Sequence, residues 1–144
     1  MSATDGQIWA AVALALALLA ATTALHYEGM RLIARPGDGR LSRPGVVLAI
    51  TGLVSLHLAE IGLYAAAFAA AVGLLQLGAL RGIAHLAALD YFYFAAETYS
   101  TLGYGDVVPV GALRLVASIE PLNGLLLLAW SGASLFRLLE RRAP

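Results

Sequence analysis

Thr98-Tyr99-Ser100-Thr101-Leu102-Gly103-Tyr104-Gly105-Asp106 is the stretch on which the reading of this chain turns. Glycine takes positive φ at no steric cost, so Gly103 and Gly105 can alternate in handedness with their neighbours. Such a backbone turns the side chains of Leu102 and Tyr104 outward into packing. A Gly-Tyr-Gly tripeptide alone is often only a turn. Here Thr101 precedes it, Asp106 follows it, and long apolar segments lie on both sides.

The pattern T-x-G-Y-G-D, met at Thr101, Gly103, Tyr104, Gly105 and Asp106, resembles the selectivity-filter signature of potassium channels. A potassium ion must shed its water shell to pass, and rings of oxygen must replace those waters at similar cost. The resemblance implies that the carbonyls of Thr101, Leu102, Gly103 and Tyr104, with the Thr101 hydroxyl and Gly105 closing the turn, form the K+ sites. Potassium in the filter is the only ion implied, and no organic cofactor or enzymatic activity is.

Composition agrees with a membrane protein. Of 144 residues, 60% are hydrophobic and 12% charged, and mean hydropathy is +0.81. Long uncharged runs of this kind belong in a bilayer. All nine basic residues are arginine and the net charge is zero, which gives no support to nucleic-acid binding. There is no cysteine, hence no disulfide or thiolate metal site.

Upstream of the filter, residues 8–25 form an uncharged run closed by His26-Tyr27-Glu28. Its eighteen residues reach roughly 27 Å as a helix, enough to cross a membrane. A cleaved signal peptide is the competing reading, but such peptides carry a basic residue ahead of the apolar core and the first here is Arg31. Residues 29–44 read as a loop whose Arg31, Arg35, Arg40 and Arg43 mark it as cytoplasmic. Pro36-Gly37 and Asp38-Gly39 are turn signals within it. The N-terminus then lies outside.

Residues 45–80 hold only His57 and Glu60 as ionisable groups and are longer than one crossing needs. An outer helix over 45–73 followed by a loop over 74–88 is expected. A hairpin of two short helices would invert the pore. Leu89 to Ser100 reads as a re-entrant pore helix, with Asp90 suited to its N-terminus and Tyr91, Phe92, Tyr93 and Phe94 suited to an interfacial band. The filter occupies 101–106, Val107 to Gly111 turns the chain back, and the inner helix covers 113–139. Seven arginines then fall on the cytoplasmic side, with only Arg81 and Arg114 outside.

The expected fold is therefore an all-α membrane protein: three transmembrane helices plus a re-entrant pore helix and filter. Residues 1–44 supply the first helix and basic loop, and 45–144 the pore domain. One filter per chain encloses no axis, so the resemblance implies a homotetramer in lipid, in a bacterial cytoplasmic membrane. The run Arg114-Leu115-Val116-Ala117 and Pro109 resemble the start of the inner helix in simple bacterial potassium channels. On that alignment Gly124 is the hinge, and Leu125, Leu128, Gly132 and Phe136 recur on one helical face as pore lining. Residues 8–25 hold no arginine ladder for sensing voltage.

Filter support is expected from Glu97, Asp106 and Tyr93. Some relatives join two carboxyls behind the filter, so Glu97 and Asp106 are read as sharing a proton. Leu102 stands where valine is commonest, and Tyr93 and Phe94 stand where two tryptophans are common. Phe94 has no hydrogen bond to give to the filter tyrosine. His57 and Glu60 share one helical face. Two ligands are too few for a metal, which leaves an interhelical polar contact, with the first helix as one partner. Glu120 precedes the helix-bending Pro121 and backs the pore helix or meets another subunit. Two other functions compete: a weakly selective cation channel, and a non-conducting subunit that regulates another channel.

Overall fold

The structure, a computed structural model of the single chain, describes residues 3–33, 42–83 and 86–140. Four helices and two short strands follow in the order α1 (Asp5–Ile33), α2 (Arg43–Gly73), β1 (Gly78–Arg81), α3 (Ala88–Tyr99), β2 (Val108–Gly111) and α4 (Leu113–Glu140). Three helices, α1, α2 and α4, are long and apolar enough to cross a membrane. At about 1.5 Å per residue each measures more than 40 Å, so each exceeds the ~30 Å hydrocarbon core. The half-length α3 is wedged between α2 and α4, while α1 packs along both α2 and α4.

In lipid an exposed leucine costs nothing, so helices associate by close packing and buried polar contacts rather than by hiding apolar surface. The contact faces follow that rule. Ala11, Ala15, Ala65, Ala71 and Ala95 are buried and let backbones approach. Tyr64, Phe68, Phe94 and Tyr99 fill the space between, with Phe68 and Phe94 edge to face at 5.0 Å. Phe94 thus turns into the core rather than toward an interfacial band.

Helix α1 differs from its expected span. It starts at Asp5 and continues through His26-Tyr27-Glu28 to Ile33. Loss of hydropathy at His26 is not a helix stop: no Pro or Gly breaker follows until Gly29, and Glu28 and Arg31 pair across one turn at 3.0 Å. The expected loop is shortened accordingly. Its centre, with Arg35, Arg40 and both turn signals, lies outside the described residues, as do His85, Arg141 and Arg142. Helix α2 starts at Arg43, where the Ser42 hydroxyl accepts from the Gly45 amide at 3.3 Å. It runs unbroken to Gly73, which removes the two-helix hairpin.

The segments expected as loop (74–88) and turn (107–111) contain paired strands. β1 and β2 run antiparallel with Gly78 opposite Gly111, Ala79 opposite Val110, Leu80 opposite Pro109 and Arg81 opposite Val108. Proline is tolerated there because a two-stranded ribbon is all edge. This sheet ties the α2–α3 connection to the segment leaving the filter. Gln7 Nε2 donates to the Gln76 carbonyl at 2.8 Å, so the start of α1 lies at the same end. Arg31 and Arg137 line one cavity at the opposite end.

Candidate functional site

Helix α3 aims its C-terminus at residues 101–106. Its first turn is closed by Asp90, whose Oδ2 accepts from the Ala87 amide at 2.7 Å. Its last turn hands over without a break: Ser100 N donates to Ala96 O at 3.1 Å, Thr101 N to Thr98 O at 3.0 Å and Gly103 N to Glu97 O at 3.1 Å. Glu97 then supplies a side-chain acceptor, Oε2, to the Tyr104 amide at 3.1 Å.

These bonds fix the carbonyl directions. Every peptide among the described residues is trans, and in a trans peptide the C=O of one residue opposes the N–H of the next. Amides of Gly103 and Tyr104 directed at α3 therefore send the carbonyls of Leu102 and Gly103 the other way, onto the open face. The dihedrals agree: φ is +62° at Thr101, +55° at Gly103 and +79° at Gly105. Every second residue is left-handed. The glycines were legible in the sequence. Thr101 was not, because a β-branched residue disfavours that region, and no local signal marks it.

Residues 101–106 are all exposed in the single chain, including Leu102 at 58% and Tyr104 at 66%. At the outer end Tyr93 donates its hydroxyl to Asp106 Oδ2 at 3.0 Å. The Tyr93 and Tyr104 rings lie parallel, 2° apart in plane and 6.3 Å between centroids. Asp106 Oδ1 accepts from the Val107 amide at 3.1 Å. Glu97 and Asp106 each have their own partner and are not hydrogen-bonded to each other. Burial pushes the Glu97 carboxyl above its usual range, and the Asp106 charge adds to this while the Tyr104 amide opposes it.

A sequence model of the ion channel family, described as "Ion channel", matches residues 46–141. The chain belongs to this family. The match begins in α2 and ends just after α4, so it takes in α3, residues 101–106 and α4 and leaves α1 outside. No curated protein and no solved structure matches the chain.

Within this ion-channel pore domain, α4 carries the remaining expected residues. Leu125, Leu128, Gly132 and Phe136 are all exposed on one face of the single chain. Gly124 is buried, and a Cβ there would overlap the carbonyl oxygen of Tyr99. Its place in the fold is thus a close approach between α4 and the end of the pore helix. Glu120 is fully buried within its own chain, with no partner for either carboxyl oxygen among the described residues.

Sequence reasoning anticipated a polar contact of His57 and Glu60 with the first helix and missed the rest of this polar layer. Glu60 Oε1 meets His26 Nδ1 at 2.8 Å, and Oε2 meets His57 Nδ1 at 2.9 Å and the Tyr99 hydroxyl at 2.5 Å. His57 Nε2 lies 3.0 Å from Ser131 Oγ. Asn123 Nδ2 donates to Thr22 Oγ1 at 2.5 Å and to the Tyr64 hydroxyl at 3.0 Å. His57 and Glu60 do contact the first helix, and the partner is His26. The signal was present in the spacing: Ala11, Ala15, Leu18, Thr22, His26 and Met30 form the buried stripe of α1 at helical intervals.

Proposed function

We propose that the protein is a potassium-selective channel that assembles as a homotetramer and conducts K+ passively across a bacterial cytoplasmic membrane. The observation that carries this reading is the alternating backbone from Thr101 to Gly105, with its amides held by the pore helix. Carbonyls released on one side can exchange for the waters of a dehydrating potassium ion, and successive carbonyls give successive sites. Conduction then needs no moving part in the filter, since each site is left for the next at nearly equal cost.

Assembly follows from exposure. One chain presents its filter oxygens on an open face, beside the uncovered Leu102 and Tyr104. A ring of four chains covers that face and encloses the axis. The exposed stripe Leu125, Leu128, Gly132 and Phe136 on α4 would line the pathway below, with Phe136 as an apolar constriction that closes by dewetting.

Arginine placement supports the orientation. Arg31, Arg43 and Arg137 belong to the end of the bundle opposite the sheet, and basic residues favour the cytoplasm. The filter mouth, the sheet and the N-terminus then face outward and the C-terminus inward.

Purified protein in liposomes tests the reading. Rapid potassium efflux that barium blocks, with no matching sodium flux, is the expected result. Equal fluxes would make it an unselective cation channel, and absence of flux a non-conducting subunit.

A further inference from the structure

We propose that His26, His57 and Glu60 form a divalent transition-metal site, of the zinc class, that staples α1 to the pore unit. Each of the three offers a ligand atom, and those atoms all lie within 4.8 Å of one another. His26 and Glu60 are fully buried, and the His57 side chain is 12% exposed. The first helix supplies the third ligand, which turns an inadequate His57–Glu60 pair into a set of two imidazoles and one carboxylate. Zinc accepts such a set with one further position. The Tyr99 hydroxyl, 3.0 Å from His57 Nδ1 and 2.5 Å from Glu60 Oε2, stands beside it.

The three donors already lie within 4.8 Å of one another, so an ion would draw them together into one shell. Tetrahedral zinc with bonds of ~2.0–2.1 Å holds its donors about 3.3 Å apart. His26 Nδ1 lies 2.8 Å from Glu60 Oε1 and His57 Nδ1 2.9 Å from Oε2, so the carboxylate faces one imidazole with each oxygen, and either separation opens by about half an ångström around an ion. Binding through Nδ1 requires each neutral imidazole to carry its proton on Nε2. For His57 that proton faces Ser131 Oγ at 3.0 Å, an outer-shell acceptor. His26 Nε2 is buried without a partner among the described residues. With His26 Nδ1 donating to Glu60, Nε2 is an unanswered lone pair, an arrangement that costs free energy. Moving the proton to Nε2 frees Nδ1 for the metal and puts an N–H beside the Trp130 ring, 5.1 Å away between centroids. Both protons stay on their rings, so coordination needs no co-reactant.

A cavity lies next to the site at the end opposite the sheet. It measures about 330 Å³, sits between α1 and α4 and is lined by Tyr27, Arg31, Trp130 and Arg137 among others. Trp130 is its boundary toward His26. The Arg31 charge is met by Glu28 at 3.0 Å.

The test is independent of conduction and uses the full-length protein in detergent. After treatment with a chelator, equilibrium dialysis against Zn2+ should show one tight ion per chain and a raised Tm. His26→Leu and His57→Leu, checked for helix content and particle size, should each lose the ion and the Tm response. His85→Gln should keep both. X-ray absorption of the zinc-loaded unmodified protein gives a readout that no misfolded variant can confuse. It should report two imidazoles per zinc at about 2.0–2.1 Å. Absence of saturable binding, binding that survives His26→Leu and His57→Leu, or a zinc shell without imidazole would each overturn the proposal and leave a hydrogen-bonded network.

Discussion

The backbone amide of Tyr104 donates to the Glu97 carboxylate across 3.1 Å, so a pore-helix side chain holds the filter from behind. That one bond fixes the peptide between Gly103 and Tyr104 and sends the Gly103 carbonyl to the open face. Tyr93 does the corresponding work one step further out, on Asp106.

Glu97 should make the filter sensitive to external pH. Its carboxyl titrates above the usual carboxylate range because of burial first, then the Asp106 charge. The Tyr104 amide favours the ionised carboxylate, its stronger acceptor, so protonation weakens the bond that holds this turn. Conductive openings should shorten as external pH falls through that elevated pKa. Glu97→Gln keeps an acceptor for the Tyr104 amide and should abolish the pH response while selectivity survives. Glu97→Ala removes the acceptor and should shorten openings several-fold at every pH. Single-channel recordings at a series of external pH values decide between these outcomes.

Gly103→Ala should abolish conduction or selectivity. The residue sits at φ +55° with nothing within 4 Å of an added Cβ, so the effect is conformational rather than steric. Left-handed backbone costs an L-residue about 1–2 kcal/mol. Relaxing that strain swings a neighbouring peptide, and with it an oxygen lining the pathway. Normal potassium flux from the variant would remove Gly103 from the filter.

Two glycines of α4 give opposed expectations. At Gly124 a Cβ would overlap the Tyr99 carbonyl oxygen, whereas at Gly132 it meets nothing within 4 Å. Gly124→Ala should force α4 off the pore helix at a cost of about 1–3 kcal/mol, seen as a lowered Tm and lost flux. Gly132→Ala should leave the Tm of the protein nearly unchanged. Equal effects would show that the close approach at Tyr99 is not what requires Gly124.

Phe136, 61% exposed on the stripe of α4 proposed to line the pathway, should control the resting state. Phe136→Ser makes the constriction wettable and should raise resting conduction several-fold in liposome flux. Unchanged flux would assign Phe136 to helix packing.

What could be read from the sequence follows from how local each feature is. Gly73 ends α2, and α3 and α4 begin within a residue or so of their expected starts, because long apolar runs, an acidic first turn and glycine punctuation are local signals. The strands were not legible. Gly78-Ala79-Leu80-Arg81 shows no polar–apolar alternation, and Val108-Pro109-Val110-Gly111 carries a proline, so their pairing exists only once α2 and α4 bring them together. His26 was read as the end of an apolar run because hydropathy falls there. Its burial depends on Glu60, 34 positions away. Thr101 takes its left-handed turn against its own preference, imposed by the hydrogen bond its amide donates to the Thr98 carbonyl and the glycine geometry that follows.

The most direct test of a potassium-selective pore is the reversal potential in a planar bilayer, with potassium on one side and sodium on the other. A filter of alternating carbonyls should hold the reversal close to the limit set by potassium alone, and external barium should block the current. A reversal near zero, with sodium carrying current as readily as potassium, would contradict the account.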